Sequence, residues 1–495
     1  MTKLFKSNLP SQWGRVGAAA LLLATAGCVS IPADHDVLPQ QDMARAQLAA
    51  NIKLARDGWP EAQWWTRYDD PQLNRLIAQA LKEGPTLQVA AARIGSARAA
   101  LSVDSSAAGV NVDFTADSNR QRYSANGFFP PPIGGSYYTE TTPQFVANYD
   151  FDWWGKHKAA ISAALGEVNA RQADYAQAEQ TLAAEVAQSY FTLQGDGARL
   201  DNLQHMQALQ MELVADKAKR IAHGVASSDA ERLAEVDLGN LKQQKTQLET
   251  HIAHEREALR ALLGADAQAL TDLGPRPLPE LPPALPASLG IELLARRPDL
   301  QAARWHVEAS LDRIEATQAA FYPDVNLMAS FGSDTITFDK LLSLASRTLY
   351  FGPTVTLPLF DSGRLKARLG VARTERNELI ADYNQSVINA VREVAQASVS
   401  LQGLQKQIDE QAATVVASKA VLHSAEARYK QGLADHANLL SAELALSKQQ
   451  DTTLQLKDQQ LLTNVGLIKA LGGGYQAQAP APTKQTSPAI SATAQ

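Results

Sequence analysis

The amino-acid sequence predicts a mainly α-helical protein, built from a tandem repeat, that carries a few membrane-type β-strands. Three observations predict it. Residues 149–264 reappear without a gap at residues 357–472. Leucine-rich heptads run through both copies, and four short segments alternate apolar with polar residues. An ungapped register this long means one structural unit used twice. Function then belongs to the assembled shape more than to one pocket.

The copies match in detail. Gly155-Lys156-His157-Lys158-Ala159 returns as Gly363-Arg364-Leu365-Lys366-Ala367, and Arg220 and Gly224 return as Arg428 and Gly432. Upstream, Pro85, Leu87, Gln88 and Ala90 match Pro298, Leu300, Gln301 and Ala303 after a small slip. The slip falls where residues 120–140 are rich in Gly, Pro, Ser and Tyr, which reads as an irregular loop. Net charge is −6 with both signs interspersed, so nothing points to nucleic acid.

Residues 1–27 read as a signal peptide. Lys3, Lys6 and Arg15 precede an apolar run over 16–24, too short to span a bilayer, which ends in Thr25-Ala26-Gly27-Cys28. Cys28 is the single cysteine. It stands where a bacterial lipoprotein signal peptidase would leave it as the first mature residue, ready for a covalent lipid. Thr25 departs from the usual Leu of that motif. Val29 follows where Asp would favour inner-membrane retention, so the outer membrane is expected.

The first repeat is read as residues 28–274, with strands at about 110–122 and 143–152 and a helical hairpin over about 155–264. Leu238, Leu241, Leu248, Ile252, Leu259 and Leu262 follow coiled-coil spacing. Without a breaker, a helix over 156–223 would be roughly 100 Å long. Gly195 and Gly197 are candidate interruptions. A proline-crowded linker follows over 275–287. The second repeat covers 288–474, with strands at about 323–334 and 350–360 and a hairpin over about 363–472. The tail, 475–495, is polar and is expected to be disordered.

The strands carry the membrane expectation. Val112, Phe114, Phe145, Ala147, Phe331, Phe351 and Val355 alternate with Asn111, Asp113, Gln144, Asn148, Ser330 and Thr354. Apolar towards lipid and polar towards a lumen is the pattern of a membrane β-strand; a half-buried soluble sheet shows it too. A sheet in lipid must close, and the smallest single-chain barrels use about eight strands. Four strands per chain therefore require more than one chain.

Nothing in the sequence supports catalysis. His251-Ile252-Ala253-His254-Glu255 has the order H-x-x-H-E, not the metalloprotease H-E-x-x-H, and reads as solvated helix surface. Gly472-Gly473-Gly474 lacks the Lys and Ser/Thr of a phosphate loop and reads as a helix terminator.

Together these features resemble the outer membrane factor family, the TolC-like exit ducts, in their NodT-type lipoprotein branch. Trp64-Trp65 with Asp69-Asp70-Pro71, Arg297-Pro298-Asp299-Leu300, Ala319-Ala320-Phe321-Tyr322-Pro323, Leu357-Pro358-Leu359-Phe360-Asp361-Ser362-Gly363-Arg364 and Arg428-Tyr429-Lys430-Gln431-Gly432 carry the resemblance. It implies a homotrimer in the outer membrane, with a shared β-barrel and a long coiled-coil α-barrel. It also implies a periplasmic adaptor (membrane fusion protein), an inner-membrane pump of the RND type, and passive conduction of small molecules. The same architecture serves type I protein secretion. A coiled-coil scaffold lipoprotein without a pore is the reading from another class.

The helical tips are then the expected gate, with Arg428, Tyr429, Asp435, Asn438, Ser441, Glu443, Asp229 and Glu231 as candidates. Similar proteins often carry acids where Asn438 and Ser441 stand, which puts an acidic ring in doubt. Gly224, Val225 and Ala226, with Gly432, Leu433 and Ala434, are the expected adaptor-docking surface. The lipid on Cys28 is the one covalent group expected, and no cofactor or metal.

Overall fold

The computed structural model describes residues 30–41, 59–224, 227–266, 268–281 and 296–476. Cys28, Val225, Ala226, residues 282–295 of the linker region and nearly all of the tail lie outside the described residues. The helices are α1 (Pro71–Glu83), α2 (Pro85–Ala107), α3 (Lys156–Ala222), α4 (Ser228–Leu263), α5 (Pro298–Ala319), α6 (Arg364–Lys430) and α7 (His436–Ala470). The strands are β1 (Asn111–Arg122), β2 (Tyr137–Phe151), β3 (Asp324–Ser333) and β4 (Arg347–Thr356). The chain divides into two compact units. One holds residues 1–40, 94–171 and 303–383; the other holds 41–93, 172–302 and 384–495.

The first unit contains one antiparallel sheet in the order β1-β2-β3-β4. Its register lines up side chains of one kind. Phe114, Phe145, Phe331 and Leu349 oppose one another in a single row across all four strands. The next row on that face is Val112, Ala147, Ala329 and Phe351. Between them, on the other face, runs Asp113, Val146, Ser330 and Tyr350. The apolar rows face outward: Phe114 is 60% exposed, Leu349 81% and Phe351 71%. An exposed apolar face this continuous is unusual for a soluble sheet.

Two strand limits differ from the alternation pattern. β2 begins at Tyr137, well before 143, and β1 reaches Arg122, so the irregular loop shrinks to residues 123–136. The polar run through Thr139 and Glu140 hides strand character, but pairing of Arg120 with Thr139 supplies it. β4 spans Arg347–Thr356, so Leu357 and Leu359 fall outside it. Their alternation continues into a loop that has no partner strand.

In the second unit the core gathers Trp64, Tyr68, Leu73, Tyr190, Phe191, Leu259 and Val465. Asp70 caps α1 by accepting from the Gln72 and Leu73 amides, Pro71 occupies the first turn, and Tyr190 Oη donates to Asp70 at 2.6 Å. This explains the Asp69-Asp70-Pro71 signature.

Neither Gly195 nor Gly197 breaks α3, which runs unbroken from Lys156 to Ala222. A helix-interior glycine costs about 1 kcal/mol, and packing overrides it. At Gly195 an added Cβ would lie 3.1 Å from the Asp458 carboxyl of α7. The glycine is there for close approach.

That contact has a pH consequence. Burial, and then the neighbouring Asp196, push the Asp458 carboxyl up to about 6. Asp458 Oδ1 is buried without a hydrogen-bond partner among the described residues. Because the folded pKa lies above the ordinary value, the stabilisation is complete below about pH 4 and is lost as pH rises through about 6. After discounting for partial exposure, ionised Asp458 costs the fold about 1 kcal/mol near neutrality. Asp458→Asn is expected to raise the melting temperature near neutral pH and to leave it unchanged below about pH 4. Parallel thermal melts at the two pH values check this; a uniform shift at both would count against it.

Candidate gate at the helical tips

Each hairpin turns at a glycine. Gly224 follows α3 with φ +72°, and Gly432 follows α6 with φ +73°. Gly432 N donates to Tyr429 O at 3.0 Å and Leu433 N to Arg428 O at 2.8 Å, which closes the last turn of α6. The left-handed backbone alone accounts for both glycines. Beside Gly432, Leu433 is 74% exposed and Ala434 is half-buried.

The two tips are joined by a residue the sequence reading did not single out. Arg220, at the end of α3, forms an ion pair with Asp435, the N-cap of α7. Asp435 also accepts from the Asn438 amide at 2.9 Å. Burial alone would raise the Asp435 carboxyl, but Arg220 and the Asn438 amide hold it below the usual range. Arg220 is the repeat equivalent of Arg428, and that relation was the signal available in the sequence.

The other candidates sit as follows. Tyr429 packs against His436 with ring centroids 5.2 Å apart, and His436 lies 3.7 Å from Glu212 and 3.9 Å from Asp216. Arg428 is exposed; the ion pair between the tips is made by its repeat equivalent, Arg220. Asn438 is exposed, and Ser441 Oγ donates back to Ala437 O at 2.7 Å, so its hydroxyl serves its own helix. Glu443 is half-buried on α7. Asp229 and Glu231 occupy the first turn of α4, where acids suit the helix dipole. The structure thus brings Tyr429, Asp435 and His436 together and leaves Arg428 and Asn438 in solvent.

His251 also departs from expectation. Its Nδ1 lies 2.6 Å from Asp196, a residue only 5% exposed, so it bridges α4 to α3 instead of merely facing water. Heptad spacing cannot register a cross-helix polar partner.

Above the tips, α3 is covered from two sides. Leu203, Met206, Leu209 and Leu213 pack with Leu241 and Leu248 of α4 and with Leu440 and Leu444 of α7. Its equivalent, α6, meets α7 through Gln405–Gln460 and Gln411–Gln449 but leaves Val416 and Val421 exposed at 68% and 60%. On α4, Leu233 and Val236 are exposed at 67% and 59%. Both pairs lie within a few turns of their own tips.

At the other end of α6, residues 30–41 are strapped down. Arg373 donates to Ala33 O at 2.9 Å and to Pro32 O at 2.7 Å, and buried Arg376 pairs with Asp34. Ile31 packs with Ile314, Phe321, Leu365 and Leu369, beside the start of β3.

A family model described as outer membrane efflux protein matches residues 76–265 and 289–473. The chain belongs to the outer membrane efflux protein family. It is 38% identical over 459 residues to the multidrug resistance outer membrane protein MdtP of Escherichia coli K12, covering 91% of this chain and 94% of that protein. The outer membrane protein VceC of Vibrio cholerae superposes with a TM-score of 0.76 at 30% identity, over 84% of this chain and all of that one. The open state of the MtrE outer membrane channel of Neisseria gonorrhoeae gives 0.77 at 26% identity, over 90% and 98%. The family, the fold class and the outer-membrane location read from the sequence are borne out. Members of this efflux family are channels, not enzymes.

Proposed function

We propose that this protein is the exit duct of a tripartite efflux system, conducting drugs and other toxic small molecules passively from an adaptor and an inner-membrane pump of the RND type. It works as a homotrimer. The observation that carries this is the mismatch between equivalent helices above the tips: among the described residues, α3 is covered there by α4 and α7, and α6 by α7. A second copy's α4, with Leu233 and Val236, supplies the missing cover for Val416 and Val421 of α6. Repeated round a ring, this buries every seam. The same step extends the four-stranded sheet into a closed barrel, as lipid demands. The multidrug name of MdtP supports the substrate class.

The tips form the gate. Arg428, Tyr429, Asp435, Asn438, Ser441, Glu443, Asp229 and Glu231 line it, and Gly224, Val225, Ala226, Gly432, Leu433 and Ala434 present the docking surface for the adaptor. Arg220–Asp435 holds the closed state within each subunit. The strap supports a lipid on Cys28, because Ile31 is fixed beside the sheet-proximal ends of α5 and α6, three residues after that cysteine.

Purified trimer in planar bilayers tests both layers. Rare openings are expected for the wild type. Asp435→Asn keeps an N-cap but loses the charge. At about 0.5 kcal/mol per exposed pair and three pairs, it should raise open probability roughly tenfold. Arg220→Gln should do the same, and the double variant no more. No conductance from intact trimer would refute the duct, and an unchanged Asp435→Asn would refute this lock.

A further inference from the structure

The two strand-to-helix turns of the first unit meet around a cleft of about 200 Å³. Its walls include Phe151, Trp154, Lys156, Tyr322, Asp324 and Arg364. Lys156 and Arg364 are repeat equivalents, each the first residue of its long helix. The duplication has therefore placed the same kind of cation twice on one cavity.

The cleft is amphipathic. Trp154 and Tyr322 stack at 4.7 Å with planes 15° apart, and Trp154 Nε1 donates to Pro323 O at 2.8 Å, which fixes the aromatic wall. Outside it Trp153, Leu359 and Phe360 are exposed at 67%, 62% and 87%. Aromatic residues of this kind sit at the headgroup level of a bilayer. The acids of the cleft are already engaged. Asp152 accepts from the His157 and Lys158 amides at 2.9 and 2.8 Å, and Asp324 takes Lys156 Nζ at 3.0 Å. Arg364 is exposed; its charge reaches Asp361, whose carboxylate already accepts from the Gly363 and Leu365 amides at 3.0 and 2.8 Å. A fixed aromatic wall beside an exposed guanidinium suits a phosphate that carries acyl chains.

We propose that this cleft binds the headgroup of an anionic glycerophospholipid from the membrane leaflet that adjoins the helices, with Arg364 taking the phosphate and Trp154 and Tyr322 the glycerol end of the chains. The inference rests on the outer-membrane duct reading, which sets the sheet in lipid. A neutral, zwitterionic headgroup offers Arg364 less, so the site discriminates by charge.

Lipid nanodiscs test it. Trimer is placed in equal parts of phosphatidylglycerol and phosphatidylcholine, with bromine carried near the headgroup end of the chains on one lipid at a time. The difference in fluorescence quenching between wild type and Trp154→Phe isolates Trp154. Brominated phosphatidylglycerol is expected to quench Trp154 more than brominated phosphatidylcholine. Arg364→Gln should reduce that preference by about fivefold while total quenching persists, and Arg364→Lys should keep part of it. Salt should weaken the preference. Equal quenching of the wild type by both lipids overturns the site and leaves the duct standing. Quenching by neither overturns the membrane placement as well.

Discussion

Replacing Gly472 by alanine is expected to destabilise the second unit severely. Gly472 has φ +89°, and an added Cβ would stand 1.7 Å from the Arg296 carbonyl oxygen and 2.6 Å from its carbon. The obstacle is backbone, not the end of a flexible side chain. Nor can Arg296 withdraw easily, because the next residue is buried and hydrogen-bonded to α7 through the Ala470 carbonyl at 2.9 Å. Left-handed strain costs about 1–2 kcal/mol and overpacking a further 1–3. A total of about 4 kcal/mol would consume much of a typical stability. Gly370→Ala is the control. It lies inside α6 with nothing among the described residues within 4 Å of the added Cβ and should be neutral or slightly stabilising. Yield of folded trimer and thermal melting compare the two; a Gly472→Ala protein melting with the wild type would refute the close approach.

The second large effect is expected at Arg297. Its guanidinium side chain is 7% exposed and ties three elements together. It donates to Asp299 at 3.0 and 2.7 Å, to Glu393 of α6 at 2.9 Å and to Ala470 O of α7. Burial would lower its pKa, but the two carboxylates hold it above the ordinary value. Arg297→Met keeps the bulk and strands both acids. Breaking a buried pair costs about 3–5 kcal/mol, and the partial exposure of Asp299 and Glu393 places the result near 3. Arg297→Lys should cost nearly as much, since an ammonium cannot span the fork. Adding Glu393→Gln to Arg297→Met should recover part of the loss. Denaturant melts of the four proteins read this directly, and a lysine variant as stable as wild type would contradict the geometry.

The repeat and the alternation made most of the fold legible. Heptad leucines such as Leu241, Leu248 and Leu259 are buried, and the residues that alternate as Phe114, Phe145 and Phe331 do share one face of one sheet. What stayed hidden depends on partners distant in sequence. The start of β2 at Tyr137 is set by its pairing with Arg122, and no local pattern records that. Gly195 reads as a breaker until Asp458 is seen against it. The tip pair was half legible: Arg220 echoes Arg428, but the repeat equivalent of Asp435 is Ser227, so the pair itself occurs once. The strap at 30–41 has no periodicity, and only its contacts with Arg373 and Arg376 reveal it.

The strand order has a consequence for biosynthesis. β1 pairs with β2 and β3 with β4 through short connections, whereas Asp150 of β2 must find Asn326 of β3. At ordinary translation speeds, β2 waits on the order of ten seconds for that partner to exist. A lone hairpin is marginal in water, and this one displays Phe114 and Phe145 with an unpaired edge. Asp113, Asp117, Arg120 and Arg122 in β1, with Glu140 in β2, interrupt the sticky stretch as gatekeepers while the remainder of the chain is made. Replacing them with apolar residues would leave the finished barrel possible and the journey to it hazardous.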